Sequence, residues 1–84
     1  MVTMRNIRIK GNSIFADCFV EGKEEHKFEL CVSCETGKTL YDSRGPIPEG
    51  SLARDAYALH ASLRLFDAYN TCEKMPSTDI SMWY

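Results

Sequence analysis

The chain has 84 residues, 44% hydrophobic and 26% charged, with a net charge of −2, which describes one small folded domain rather than a disordered segment. At that size apolar burial and lost chain entropy nearly cancel, leaving on the order of 5 kcal/mol, so a partner or a bound metal would have leverage on folding. No apolar run approaches the roughly 18 residues of a membrane span, and "MVTMRNIRIKG" lacks the apolar core of a secretory signal, so a cytoplasmic location with reduced cysteines is expected.

The first turn signal is Gly11-Asn12, a two-residue hairpin connection in which glycine accepts positive φ. A turn there pairs Ile9 with Ile14, Ile7 with Ala16 and Arg5 with Cys18. A second turn over "EGKEE", 21–25, sets Cys18 opposite Phe28, Ala16 opposite Leu30 and Ile14 opposite Val32. These pairs share the face of Ile7 and Ile9, and a slip of one residue would throw the whole set to the other side. Asp17 then stands opposite Glu29, a like-charge pair. A third turn at Glu35-Thr36-Gly37, with Gly37 left-handed, closes Cys34 against Lys38 and brings Val32 opposite Leu40.

The prolines and glycines of "SRGPIPEGS", 43–51, end the sheet, and Ser51 is placed to cap the helix that follows. Leu52, Ala56, Leu59, Leu63 and Phe66 recur at helical spacing and predict the docking face. A second stripe, Ala58, Ala61, Leu65, Ala68 and Tyr69, is separated from the first by Asp55 and Ser62 and calls for another contact. After Asn70 the pattern stops. The apolar end, "DISMWY", is expected either to add a short strand at a sheet edge or to cover an exposed face.

The expected architecture is α+β: a four-stranded antiparallel meander over 4–42, a loop over 43–50, a helix over 51–70 packed on one face, and a tail over 71–84, all in one domain.

Several motifs suggest chemistry and then lose it on inspection. Cys31 and Cys34 have the spacing of half a zinc site, which Cys18 and Cys72 would complete. No second close pair exists, however, and residues three apart in a strand point to opposite faces. A redox pair needs its first cysteine at a helix N-terminus, and this one lies in a strand. The run Thr36-Gly37-Lys38-Thr39 lacks the leading glycine of a phosphate loop, since that position holds Val32. His26 and His60 stand beside no nucleophile or paired carboxylate at a recognisable spacing. No catalytic residues are assigned, no cofactor is expected, and zinc at the four cysteines stays as an alternative.

What the pattern leaves is surface. The sheet face away from the helix would carry Phe15, Phe19, Cys31, Ser33 and Tyr41 among Arg8, Lys10, Asp17, Lys27 and Glu29. It has three uses: it is covered by the tail containing Trp83, it meets another protein chain or a second copy, or it stacks single-stranded nucleic acid with Arg8, Lys10 and Lys27 on phosphates. Asp17, Glu29 and the acidic second turn weigh against single-stranded nucleic acid, and a wrapped duplex is disfavoured because Glu21, Glu24, Glu25, Glu29 and Glu35 outweigh Lys23 and Lys27. The leading expectation is a non-enzymatic interaction or regulatory module, self-associating through Phe15, Phe19 and Tyr41 on the sheet or Leu65 and Tyr69 on the helix, with no membrane contact.

Overall fold

The computed structural model describes residues 1–71 and 75–81. Among these, β1 (Val2–Lys10), β2 (Ser13–Val20), β3 (Lys27–Ser33), β4 (Thr39–Asp42) and β5 (Asp79–Ser81) form one antiparallel sheet in the order β4-β3-β2-β1-β5, with α1 (Ala56–Thr71) across one face. The class is the expected α+β meander on a helix, and the tail adds its strand at the free edge of β1. Trp83 lies outside the described residues.

The centre of the sheet follows the hydrophobic alternation. Ile14 pairs with Val32, Ala16 with Leu30 and Cys18 with Phe28, and all six are buried toward α1. The turns that set this register use residues able to take positive φ: Gly11 at 58°, then Glu21 and Gly22 at 52° and 71°. A short 3-10 turn, Glu24–His26, leads into β3.

Two bulges alter the outer strands. In β1 the expected pairs Ile7 with Ala16 and Arg5 with Cys18 do not form; Arg8 pairs with Phe15, the register then shifts, and Arg5 meets Asp17 and Met4 meets Cys18. Asn6 supplies the irregular residue at φ 53°, a conformation that asparagine tolerates better than most side chains, and its carbonyl accepts a bond from Arg8 Nη1 at 2.9 Å. A regular strand would have carried Arg5 into the core. The bulge instead turns Val2 and Met4 inward, both fully buried, and leaves Ile7 half-buried.

In β4 the expected pairing of Val32 with Leu40 is replaced by Val32 with Thr39, Cys31 with Tyr41 and Leu30 with Asp42. Leu40 therefore does not look toward the helix and is 52% exposed. The polar residues that take the inner positions are bonded there: Thr39 Oγ1 and Ser62 Oγ of α1 lie 2.6 Å apart, and the Thr39 N–H donates to the Leu52 carbonyl. The third turn holds Gly37 at φ 76° as expected, and a Cβ there would sit 2.9 Å from the Phe66 ring, so glycine is required twice over.

The helix is rotated from the expected orientation. Its buried residues are Ala58, Ala61, Leu65 and Ala68 of the second stripe together with the separator Ser62, while Tyr69 of that stripe is 40% exposed and Leu52 and Leu63 of the first stripe are 57% and 46% exposed. The sheet already presents Phe28, Met4, Ile14, Leu30 and Val32, so small residues on the helix fill the remaining space and let the two layers approach. Polar pins fix the rotation. Besides the Thr39 and Ser62 contact, Asp55 accepts from the Ala58 N–H at 2.9 Å as the helix cap, a role expected of Ser51, so the helix starts at 56 rather than 51.

Candidate interaction surfaces

Because α1 docks on Ala58, Ala61, Leu65 and Ala68, Leu59 is left at the margin and Leu63 outside. The line Ala56, Leu59, Leu63, Phe66 and Asn70 runs the length of the helix at spacings of three and four without a charged residue. Leu59 and Phe66 are half-buried at its margin, and Leu63 is exposed. Leu52 extends the line below the helix, where it and Leu59 line a shallow concavity of about 290 Å³ with Ser51, Ala53 and Asp55. A neighbouring concavity of about 270 Å³ carries Leu40, Ile47 and Pro48. Of the helix residues expected to anchor a partner, Tyr69 is 40% exposed, whereas Leu65 is fully buried in the core and is removed from that role.

The outer face of the sheet is a second surface. Arg8, Phe15, Cys31 and Tyr41 form one row across four strands, and Arg5, Asp17 and Glu29 form the next. The aromatic residues are unequally available: Tyr41 is 53% exposed, Phe15 is half-buried under the Arg8 guanidinium at 5.5 Å, and Phe19 is only 8% exposed under Arg5 at 4.9 Å. Phe19 is thus already covered within its own chain. The like-charge pair Asp17 and Glu29 is relieved by cations from either side, with Arg8 at 4.0 and 3.9 Å from the two carboxylates and Lys27 at 3.9 Å from Asp17. Lys10 lies at the exposed end of the same face.

The three cysteines among the described residues do not gather at one site. Cys34 belongs to the helix-side core, as do Cys18 and its neighbours, while Cys31 sits in the outer row between Phe15 and Tyr41. Among the described residues no three His, Cys, Asp or Glu side chains gather as metal ligands; Cys72 lies outside those residues. Burial pushes the Cys18 thiol up to about 12, with nearby Asp42 adding to the effect, so it is an inert packing group at neutral pH.

His26 lines a concavity of about 430 Å³ with Val20, Glu25, Lys27, Arg44, Asp55 and Tyr57. Two of its members, Arg44 and Asp55, are bonded to one another. Arg44 donates to Asp42 through Nε at 3.0 Å and Nη2 at 2.6 Å, and to Asp55 through Nη1 at 2.8 Å, while its guanidinium lies 3.7 Å from the Phe28 ring centroid. Burial works against the Arg44 charge, yet the two carboxylates outweigh it and raise its pKa. Burial likewise opposes the Asp55 charge, but the Ala58 N–H and Arg44 together hold its carboxyl below the usual range. This cluster is a clasp that ties the 43–55 loop to the sheet and to the start of α1. The sequence reading missed it, and "YDSRG" gives only a turn signal for it.

Comparison of the chain with protein-family models, curated proteins and solved structures gave no match.

Proposed function

We propose that this domain is a non-enzymatic interaction module that pairs with a second copy of itself through the outer leucine line of α1. The observation that carries the reading is the rotation of the helix: Ala58, Ala61, Leu65 and Ala68 face the sheet, Leu52 and Leu63 are left toward water, and Leu59 is half-buried between them. Burying an aliphatic side chain of this size is worth about 1.5–3 kcal/mol, so leaving several outside is a standing driving force for association. A second copy suits the surface because the line has no charge to repel its own image, and two antiparallel copies would meet Leu63 against Leu63 about a two-fold axis. The clasp engages Arg44 and Asp55 of the concavity that holds His26, which favours a structural role for those two residues. A cytoplasmic setting agrees with the free thiols of the buried Cys18, Cys31 and Cys34.

Sedimentation equilibrium tests the reading directly. A dimer is expected at tens of micromolar, and Leu63→Glu, a change at an exposed position, should give a monomer with unaltered circular dichroism and thermal midpoint. A wild-type chain that stays monomeric up to about 0.5 mM, a concentration limit that corresponds to a free energy near 4.5 kcal/mol, refutes self-association. A dimer that Leu63→Glu leaves intact refutes the assignment to this face.

A further inference from the structure

We infer that the outer face of the sheet binds single-stranded nucleic acid, with Tyr41 stacking a base next to the Arg8-covered ring of Phe15 and Arg5, Arg8, Lys10 and Lys27 meeting phosphates. The site lies across the sheet from α1 and is independent of the pairing proposed above.

The bulge at Asn6 is the starting point. Residues three apart on a regular strand point to opposite faces, so Arg5 and Arg8 would not act together. Holding Asn6 at φ 53° turns both onto the aromatic face, where each guanidinium covers a phenylalanine ring. The strained residue thus has two consequences: it buries Val2 and Met4 on one side, and it doubles the arginines on the other.

Charge on this face runs against that of the chain. Its strand positions hold Arg5, Arg8, Lys10 and Lys27 against Asp17 and Glu29, an excess of positive charge in a protein whose net charge is −2. The pairs these cations make are long, and in each the cation keeps part of its surface in water: Arg5 with Glu24 at 3.4 Å, Arg8 with the more shielded Asp17 and with Glu29 at 4.0 and 3.9 Å, Lys27 with Asp17 at 3.9 Å. Such partly exposed pairs contribute about 0.2–1 kcal/mol at most, so a phosphate can take the place of a carboxylate at little cost.

The aromatic row decides the kind of polyanion. Tyr41 is more than half exposed, and Cys31 between it and Phe15 is small and apolar, so the row offers a flat platform flanked by Arg8. A base can stack there only if it is unpaired, which selects a single strand over a duplex. An acidic polypeptide would use the cations and have no need of Tyr41.

The test is fluorescence anisotropy of the full chain with a labelled oligothymidylate of about ten nucleotides, at about 50 and about 200 mM salt. Saturable binding is expected, with log affinity falling against log salt at a slope of up to about −3 for four phosphate contacts. Lys10→Gln, which leaves the bulge untouched, should make that slope shallower by about 0.7. Tyr41→Ala should weaken binding about tenfold or more through lost stacking, with circular dichroism confirming that the variant is folded. Leu63→Glu should bind as the wild type does. No binding at about 100 µM protein, the weak end of non-specific association with nucleic acid, overturns the inference. So does binding that Tyr41→Ala leaves unchanged, or that a polyglutamate of equal length displaces as well as the unlabelled oligonucleotide does, since either result assigns the face to acidic chains in general.

Discussion

Replacing Arg44 by methionine removes the guanidinium while keeping much of its length, and the structure sets the size of the effect. The Asp42 side chain is completely shielded from solvent, and it is bonded by Arg44 Nε at 3.0 Å, Arg44 Nη2 at 2.6 Å and the Arg44 backbone N–H at 3.0 Å. Methionine keeps only the last, leaving a buried carboxylate with most of its compensation gone, a change that costs about 3–5 kcal/mol. Loss of the guanidinium over Phe28 adds about 1 kcal/mol. A domain of this size has on the order of 5 kcal/mol in all, so the variant should stand at the edge of folding. With a urea dependence of about 1 kcal/mol per molar, the midpoint should drop by about 4 M or more, followed by circular dichroism. Two companions keep the result interpretable if Arg44→Met does not fold at all. Arg44→Lys supplies charge but cannot fork between two carboxylates, and should fall between wild type and methionine. Asp42→Asn combined with Arg44→Met removes the stranded charge and should recover half or more of the loss. A midpoint for Arg44→Met within about 0.5 M of wild type would show that the clasp is not what holds the 43–55 loop.

Four further outcomes follow from the same structure. Ala61→Leu forces extra methylenes between α1 and the sheet and should destabilise by about 1–3 kcal/mol, whereas Leu63→Gln, two positions on, should stay within about 0.5 kcal/mol; the reverse order in urea titrations would return the helix to its leucine face. Asn6→Val places a β-branched residue at φ 53° and should lower stability by about 1–2 kcal/mol, while Asn6→Gly should be nearly neutral in thermal unfolding; equal losses would deny the bulge. Cys18 is held at about 12 against an ordinary 9.0, so the unfolded chain gives up its thiol proton first: the stability this group supplies is complete below pH 9 and fades between pH 9 and 12, at about 1.4 kcal/mol per pH unit. Urea midpoints should therefore decline more steeply above pH 9 for wild type than for Cys18→Ala, and a thiol reagent at pH 8 should leave Cys18 unmodified in the native state. At the acid end the sign reverses. Asp55 is held below 3.8, so its contribution is present above that value and lost as pH falls through its lower native one, with Asp55→Asn flattening that limb of the curve.

The parts of the fold that were legible are those in which one periodicity has one outcome. Ile14, Ala16 and Cys18 against Val32, Leu30 and Phe28 form two runs of alternation joined by a turn, and any other register would expose the whole set. Gly37 was legible because a tight turn demands a residue without Cβ penalty there. The outer strands were not, because a bulge is one residue of irregularity and leaves little trace in composition. Asn6 is an ordinary strand residue until the alternative, Arg5 in the core, is weighed against Met4. The candidate surfaces shared this fate: Phe15 and Tyr41 were placed on the outer face by alternation, but the cover that Arg5 gives Phe19 depends on the bulge.

By itself the sequence determined that a meander and one amphipathic helix would form, because turn residues and hydrophobic spacing act over a few positions and need no partner to be felt. Which side of the helix would lie inward was decided only in the tertiary structure. Two apolar stripes compete for one sheet, and hydrophobicity alone favours the leucines. The outcome turned on the volume already filled by Phe28, Met4 and Leu30 and on the bonds of Ser62 to Thr39 and Asp55 to Arg44, all set by residues far apart in the chain. Close packing is a property of both layers at once, so the face left over for a partner could be known only when the two layers had met.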